Sequence, residues 1–406
     1  MKNDTAKSEG ARIVELPDAT VYQQTFTVSY SYPVHFTTGL FASENPVFAQ
    51  ALSRLEPNKR HRCVVFIDGN VAASWPALVH SIASYAEVHA ESVHLVAPPE
   101  VLPPGERVKN DPALVARLQQ RLSDLAIDRH SYVVGIGGGA LLDMAGFVAA
   151  TTHRGVRHVR VPTTVLAQND AGIGVKNGVN AFGKKNFLGS FAPPHAVLND
   201  ADFLRTLHPR DRLAGIAEAV KVALIRDRAY FEWMEANVEL LRQFAPAATN
   251  RMIRRCAELH MRQIAHGGDA FETGSARPLD YGHWSAHRLE ALTAHELRHG
   301  EAVAIGLALD TRYSVQIGLL PRGADDRVHG LLKRLGFHLW HPAMDSKDVA
   351  GNLQILRGIE EFREHLGGDL TLTMLEDIGR GCDIHAVDSA EMVRAMSWLR
   401  RREIGQ

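Results

Sequence analysis

The chain has 406 residues, 45% of them hydrophobic and 22% charged, with a formal net charge of −1. That length accommodates two domains with cores of their own, and the near-neutral balance argues against a nucleic-acid or membrane-surface partner, which would need an excess of Lys and Arg. Any anionic ligand must therefore be held by local charge. Cys63, Cys256 and Cys382 are too few and too scattered for a disulfide framework or a CxxC zinc site, so a reducing cytoplasm is expected. No apolar run reaches membrane-spanning length, and residues 1–20 are polar, lack the apolar segment of a signal peptide and read as a loose tail.

From Arg62 to Asp200 short β-branched runs ("RCVVFID", "VHLVA", "SYVVGIG", "HVRVPTT", "AVLND") alternate with helical stretches such as "DPALVARLQQRLSDLAI". This spacing predicts a parallel sheet covered by helices on both faces. Asp68 closes the first run, with Asn70 after it, and fits either a ribose-hydroxyl acceptor or a plain turn aspartate. Glu106 and Lys109 in "PPGERVKND" read as a solvated loop. In "VVGIGGGALLDMAGFVAA" a strand enters a glycine turn and then a helix, so Gly137, Gly138 and Gly139 would let backbone N–H groups approach a pyrophosphate. The pattern is not GxGxxG, and a tight packing turn fits it as well. "QNDAGIGVKNGVNAFGKKN" gathers Asp170, Lys176, Asn180, Lys184, Lys185 and Asn186 among glycines. Cations and amides so grouped suit a phosphate monoester, or else a charged surface loop.

From about Asp202 the apolar period becomes that of helices, in "RDRLAGIAEAVKVALIRD", "MIRRCAELHMRQIA" and "GEAVAIGLALDTRYSVQIG". The prediction is α/β plus all-α: a first domain over residues 1–205 and a helical one over 206–406, with the break at "TLHPRD". Glu218 and Lys221 stand at i,i+3 on an otherwise apolar helix, which is either a surface pair or a buried site. His283 and His287 in "LDYGHWSAHRLE" are one turn apart, and His299 follows beside Glu301. Three imidazoles would fill three of the four positions of a Zn²⁺, although such pairs are common in a chain with 21 histidines. Glu218 could supply an anionic ligand instead of one of them. Metal, dinucleotide and phosphate pocket together point to oxidation of an alcohol on a phosphorylated polyol.

The ordered motifs "GGGALLDMAGFVAATTHRG", "RVPTTVLAQNDAGIGVKNGVN", "GKKN", "AGIAEAVK", "LDYGHWSAH" and "HGEAVAIG", spread over Asp68 to Gly318, closely resemble the sugar phosphate cyclases, the family of 3-dehydroquinate synthase. The resemblance implies a Rossmann-like N-terminal domain, a helical C-terminal domain, a homodimer, one tightly held NAD⁺ and one Zn²⁺ or Co²⁺. It implies Glu218, His283 and His299 as metal ligands, and puts His287 at the substrate's phosphate end. Asp170, Lys176 and Lys221 would hold substrate hydroxyls, with Asn186 and Lys176 near the phosphate. Arg154 would reach into the neighbouring subunit's site. For NAD the matching positions are Asp68, Asn70, Glu106, Lys109, Gly138, Gly139, Asp143, Thr163 and Thr164. The implied reaction is transient oxidation, β-elimination of phosphate, reduction, ring opening and an intramolecular aldol, with no net redox.

Dehydroquinate synthases carry "RxxLNxGH" and a C-terminal lysine pair. Here position 276 is Ala, the arginine is Arg277, the Asn position holds Asp280, and His365 stands where a lysine is expected. These exchanges remove positive potential from the end that would hold a substrate carboxylate. They favour sedoheptulose 7-phosphate over 3-deoxy-arabino-heptulosonate 7-phosphate, the shikimate-pathway substrate. The pattern as a whole is most similar to the EboD-type, 2-epi-5-epi-valiolone synthase-like branch, while retention of His287 is a dehydroquinate synthase trait. A metal-dependent polyol dehydrogenase of the glycerol dehydrogenase type is the alternative of a different class.

Overall fold

The computed structural model describes residues 12–15, 22–272, 277–365 and 368–405. The chain divides at Tyr32 into two units. The first contains antiparallel strands β1 (Arg12–Glu15) and β2 (Tyr22–Thr25), with Arg12 opposite Thr25. Of the expected loose tail, Arg12–Glu15 are thus in a strand, and the rest lies outside the described residues.

The second unit begins at Pro33, and its chain order is β3 (Val34–Thr37), α1 (Val47–Ser53), β4 (His61–Asp68), α2 (Gly69–Ser74), α3 (Leu78–Val88), β5 (Val93–Leu95), β6 (Glu100–Leu102), α4 (Pro112–Asp124), β7 (Tyr132–Gly137), α5 (Gly139–Thr151), β8 (Arg157–Pro162), β9 (Lys176–Ala181), β10 (Lys184–Phe191) and β11 (Ala196–Asp200). Strands pair in parallel in the order β3-β11-β8-β7-β4-β5, with β6 also on β4. Both faces are buried, which is why β4 and β7 read as continuous apolar runs. One face packs Val65, Ile67 and Val134 beneath α1 and α3. The other packs Val64, Phe66 and Val133 beneath α4 and α5. After β4 the chain moves to one side, through β5 and β6, and then returns to place β7 on the other. The switch of direction lies between β4 and β7, so a crevice opens where Asp68 and Gly137 end their strands.

The lysine-rich segment, read from sequence as a loop, forms a two-stranded hairpin of β9 and β10. Its alternating short residues "KNGVNA" satisfy their backbone groups across strands rather than in water.

Helices then take over: α6 (Pro209–Arg226), α7 (Arg228–Ala236), α8 (Val238–Arg242), α9 (Pro246–His266), α10 (His283–Leu292), α11 (His299–Gln316), α12 (Ala324–Leu335), α13 (Arg357–His365) and α14 (Ser389–Ile404). The second half is not entirely helical, because β12 (Leu372–Asp377) and β13 (Arg380–Ile384) form an antiparallel hairpin. The run "LTLTML" is buried on both faces, its threonines as well as its apolar residues.

Two glycine contacts set the central helices. A Cβ on Gly300 of α11 would fall 1.9 Å from the Ala214 carbonyl of α6, and one on Gly306 would fall 2.0 Å from the Gly282 carbonyl. Only glycine permits such approaches, so α6, α10 and α11 meet nearly backbone to backbone. Gly282 itself has φ +78° and starts α10 in the left-handed region.

Candidate active site

Helix α6 is buried along its whole length from Ala214 to Ile225, Glu218 and Lys221 included. They pair with each other: Lys221 Nζ lies 2.5 Å from Glu218 Oε2. Burial works against both charges, but Lys221, then His283 and His299, hold the Glu218 carboxyl well below its usual range. Glu218 and Asp170 in turn raise the Lys221 ammonium above its ordinary value.

The other oxygen of Glu218 faces two imidazoles. Oε1 is 3.2 Å from His299 Nε2 and 3.5 Å from His283 Nε2. Zn–N and Zn–O bonds of about 2.0–2.1 Å arranged tetrahedrally put neighbouring donors about 3.4 Å apart, so these spacings are edges of a metal-sized tetrahedron. The ring orientations suit a metal. His283 Nδ1 sits 3.1 Å from the Tyr281 carbonyl and His299 Nδ1 3.1 Å from Glu290 Oε2. Both partners can only accept, so Nδ1 carries a proton on each ring and Nε2 is the nitrogen a metal would take. Among the described residues His287, Glu290 and His299 also come within ligating distance of one another. In that set Glu290 is already engaged by His299 and by Lys185 at 3.2 Å, which makes it an outer partner. Glu301, noted in the sequence beside His299, turns instead to Arg210 and to the Arg298 backbone N–H.

Asp170 is carried by one wide helical turn, Ala167–Ala171, in which Gly172 N–H reaches the Ala167 carbonyl five residues back. Such turns break helical register to aim a side chain. Its Oδ1 lies 3.0 Å from His260 Nδ1 of α9. Burial is outweighed by Lys221 and His260, and the carboxyl falls to about 2. Buried Arg160 shapes the segment that follows, donating to the carbonyls of Gly172, Gly174 and Lys176 and to Asn177. Lys176 is thereby presented at the start of β9, where it meets Glu272 at 2.6 Å. Arg277 meets the same carboxylate at 2.7 Å. Asp280 is held below its usual pKa: burial opposes this, and Lys176, His283, His287 and Lys221 prevail. His287 has its ring 5.4 Å from that of His283 and 6.0 Å from that of His299. Asn186 does not share partners with Lys176; its amide oxygen bonds Lys109 and its N–H donates to Asn180.

At the β4/β7 crevice Asp68 accepts from the backbone of Asn70 at 2.8 Å and of Gly105 at 3.0 Å, so it caps α2 and fixes the following loop. Gly138 begins α5 with Thr164 against it, and Gly139 packs on Ala171. Thr163 bonds back to Gly137 through its N–H, while its buried hydroxyl has no hydrogen-bond partner among the described residues. Such an orphan donor beside a glycine turn at a helix N-terminus fits a phosphate-bearing ligand. Lys109 is buried on Asp143 at 2.8 Å and so is not part of a solvated loop, whereas Glu106 is exposed and accepts from Asn180 at 3.3 Å. Asn70 is exposed. Arg154 is exposed on the turn after α5, the far end of a 13-residue helix and so about 20 Å from the glycine turn. The side chain of His365, and Ala276, lie outside the described residues.

Residues 100–214 match the family described as 3-dehydroquinate synthase N-terminal, and residues 215–356 its C-terminal counterpart. The chain belongs to the 3-dehydroquinate synthase family. It is therefore an enzyme of the sugar phosphate cyclase group, with an α/β plus helical fold. A 3-dehydroquinate synthase of Jannaschia sp. (strain CCS1) is 36% identical over 355 residues, covering 86% of this chain and 90% of that one. Another, of Ruegeria sp. (strain TM1040), is 36% identical, covering 82% and 87%. Among solved structures, ValA, a 2-epi-5-epi-valiolone synthase of Streptomyces hygroscopicus subsp. jinggangensis 5008 with NAD⁺ and Zn²⁺ bound, superposes with TM-score 0.80 at 29% identity, covering 93% of this chain and 99% of that one. A 2-deoxy-scyllo-inosose synthase complexed with carbaglucose-6-phosphate, NAD⁺ and Co²⁺ shares the fold at TM-score 0.71 and 22% identity, covering 95% and 99%.

Sequence reasoning passed over His260, Glu272, Glu290 and Asp310. The last accepts from Gly282 N–H at 3.1 Å and Trp284 Nε1 at 2.9 Å, and so fixes the start of α10. His260 and Asp310 carried the signal that had exposed Glu218: a polar residue on the apolar face of a helix.

Proposed function

We propose that this enzyme is a sugar 7-phosphate cyclase that converts a heptulose 7-phosphate, sedoheptulose 7-phosphate above all, into a C7 cyclitol with release of phosphate. The observation that carries the reading is the convergence of Glu218 with His283 and His299 at donor spacings of 3.5 and 3.2 Å, with Lys221 paired to the same carboxylate. A divalent ion held by that trio and an NAD⁺ in the β4/β7 crevice would supply Lewis acidity at a ring hydroxyl and a transient home for its hydride. The chain's own residues do the rest. Lys221, kept cationic, and Asp170, kept anionic by Lys221 and His260, offer a fixed donor and a fixed acceptor to neighbouring substrate hydroxyls. Both are preorganised by burial and partners rather than by solvent. His287 stands beside the ligand rings, and we assign it to the leaving phosphate.

The choice of a neutral ketose rests on Asp280, an ionised carboxylate where a carboxylated substrate would want an amide or a cation. The 29% identity to a valiolone synthase agrees with it. A second reading, 3-dehydroquinate synthase acting on the heptulosonate, is favoured by the names of the 36%-identical relatives. We further propose a homodimer, because Arg154 lies too far along α5 to serve its own chain's site. A reducing cytoplasm suits the free thiols of Cys63, Cys256 and Cys382, and among the described residues no helix is long and apolar enough to cross a membrane. Purified enzyme assayed on each sugar phosphate separately, comparing kcat/KM, decides between the two substrates. Preference for sedoheptulose 7-phosphate supports the proposal, and turnover of the heptulosonate alone refutes it.

A further inference from the structure

Four ionisable side chains gather where β9 begins. Lys176 Nζ and Arg277 Nη1 lie 2.6 and 2.7 Å from the same oxygen, Glu272 Oε2. Arg277 Nη1 also donates to the Glu272 carbonyl at 3.0 Å. Asp280, three positions past Arg277, lies in the field of Lys176, His283 and Lys221. Lys176 and Arg277 thus share the one Glu272 carboxylate, and Lys176 also acts on Asp280. Glu272 is not a side chain wandering in solvent. Its backbone has φ +50°, which residues other than glycine seldom adopt, and the adjacent Phe271 ring stacks on Phe191 of β10 with centroids 5.6 Å apart. The chain places this carboxylate deliberately between the cations.

We propose that Glu272 is a specificity-determining residue: a built-in counter-ion that occupies, with its own carboxylate, the position a substrate carboxylate would take. An incoming carboxylate must displace Glu272 from Lys176 and Arg277 or sit against like charge. A polyol end meets no such conflict, because its hydroxyls donate to Glu272 and Asp280 and accept from Lys176 and Arg277. This inference rests on the reading of the cleft as a sugar phosphate site, assigns Lys176 to the substrate's other end in place of the phosphate end that the family resemblance implied, and adds the charge of that other end.

The test uses holoenzyme loaded with NAD⁺ and Zn²⁺ and two unreactive carbocyclic phosphonates, identical except that one ring carbon bears a hydroxymethyl group in the first and a carboxylate in the second. Calorimetry gives both affinities for wild type, Glu272→Gln and Glu272→Ala, with metal content measured on each. Wild type should prefer the hydroxymethyl ligand. Glu272→Gln, which frees the cations without changing shape, should raise the carboxylate-to-hydroxymethyl affinity ratio about fivefold to tenfold, the effect of one partly exposed charge. Glu272→Ala should move it the same way. A general loosening of the loop would weaken both ligands together and leave the ratio unchanged, and that result overturns the proposal. If neither phosphonate binds wild type, the sugar phosphate reading falls and takes this role with it; binding with an unchanged ratio removes the role alone.

Discussion

His299 donates its Nδ1–H to Glu290 Oε2 across 3.1 Å, seven residues past His283 on α10. This contact fixes the ring's tautomer and aims Nε2 at Glu218. Glu290→Gln should therefore weaken Zn²⁺ binding by about 10- to 100-fold with no ligand removed. Competition against a chelator of known affinity checks this. An unchanged affinity would show that α11 alone orients His299.

The same ring makes metal binding depend on pH. In the metal-free protein burial disfavours its charge, yet the hydrogen bonds to Glu218 and Glu290 outweigh it and raise the pKa to about 9. The sign follows directly. His299 is protonated at neutral pH and must lose that proton to bind, so apparent affinity should climb about tenfold per pH unit up to about pH 9. The charged ring also stabilises the metal-free fold below about pH 6.5, and that contribution should fade as pH rises through 9. Chelator titrations at several pH values read the first effect. A flat profile would contradict it.

Asp310 predicts the opposite of ordinary acid behaviour. It is buried, and burial raises its pKa to about 7 although Trp284 and Gly282 donate to it. The folded chain therefore binds a proton that the unfolded chain has released, so this residue's contribution to stability is present below about pH 4 and is lost as pH rises to 7. Asp310→Asn cannot titrate. The melting temperature of wild type relative to Asp310→Asn should decline across that range, and parallel curves would refute the assignment.

Much of this site could be read from the chain because burial and charge conflict in it. Glu218 and Lys221 are conspicuous on an apolar helix, and His283 and His287 are conspicuous at one-turn spacing. Spacing alone could not say which histidine joins Glu218, since that depends on the Gly282–Gly306 contact that sets α10 against α11. The parallel sheet was legible in the β-branched runs of β4 and β7, whereas the β9–β10 hairpin was hidden by its lysines and glycines. Glu272 gave no local signal, as its role depends on Lys176, far earlier in the chain, and on Arg277 beyond it.

The central claim is that phosphate leaves while the redox state returns to its start. Holoenzyme is incubated with sedoheptulose 7-phosphate, and inorganic phosphate, NADH absorbance and product mass are followed together. The account predicts one phosphate released per product, a product lighter than the substrate by one phosphoric acid, and no accumulation of NADH over many turnovers. NADH rising in step with substrate loss while the phosphate ester stays intact would contradict it, and would make the enzyme a polyol dehydrogenase.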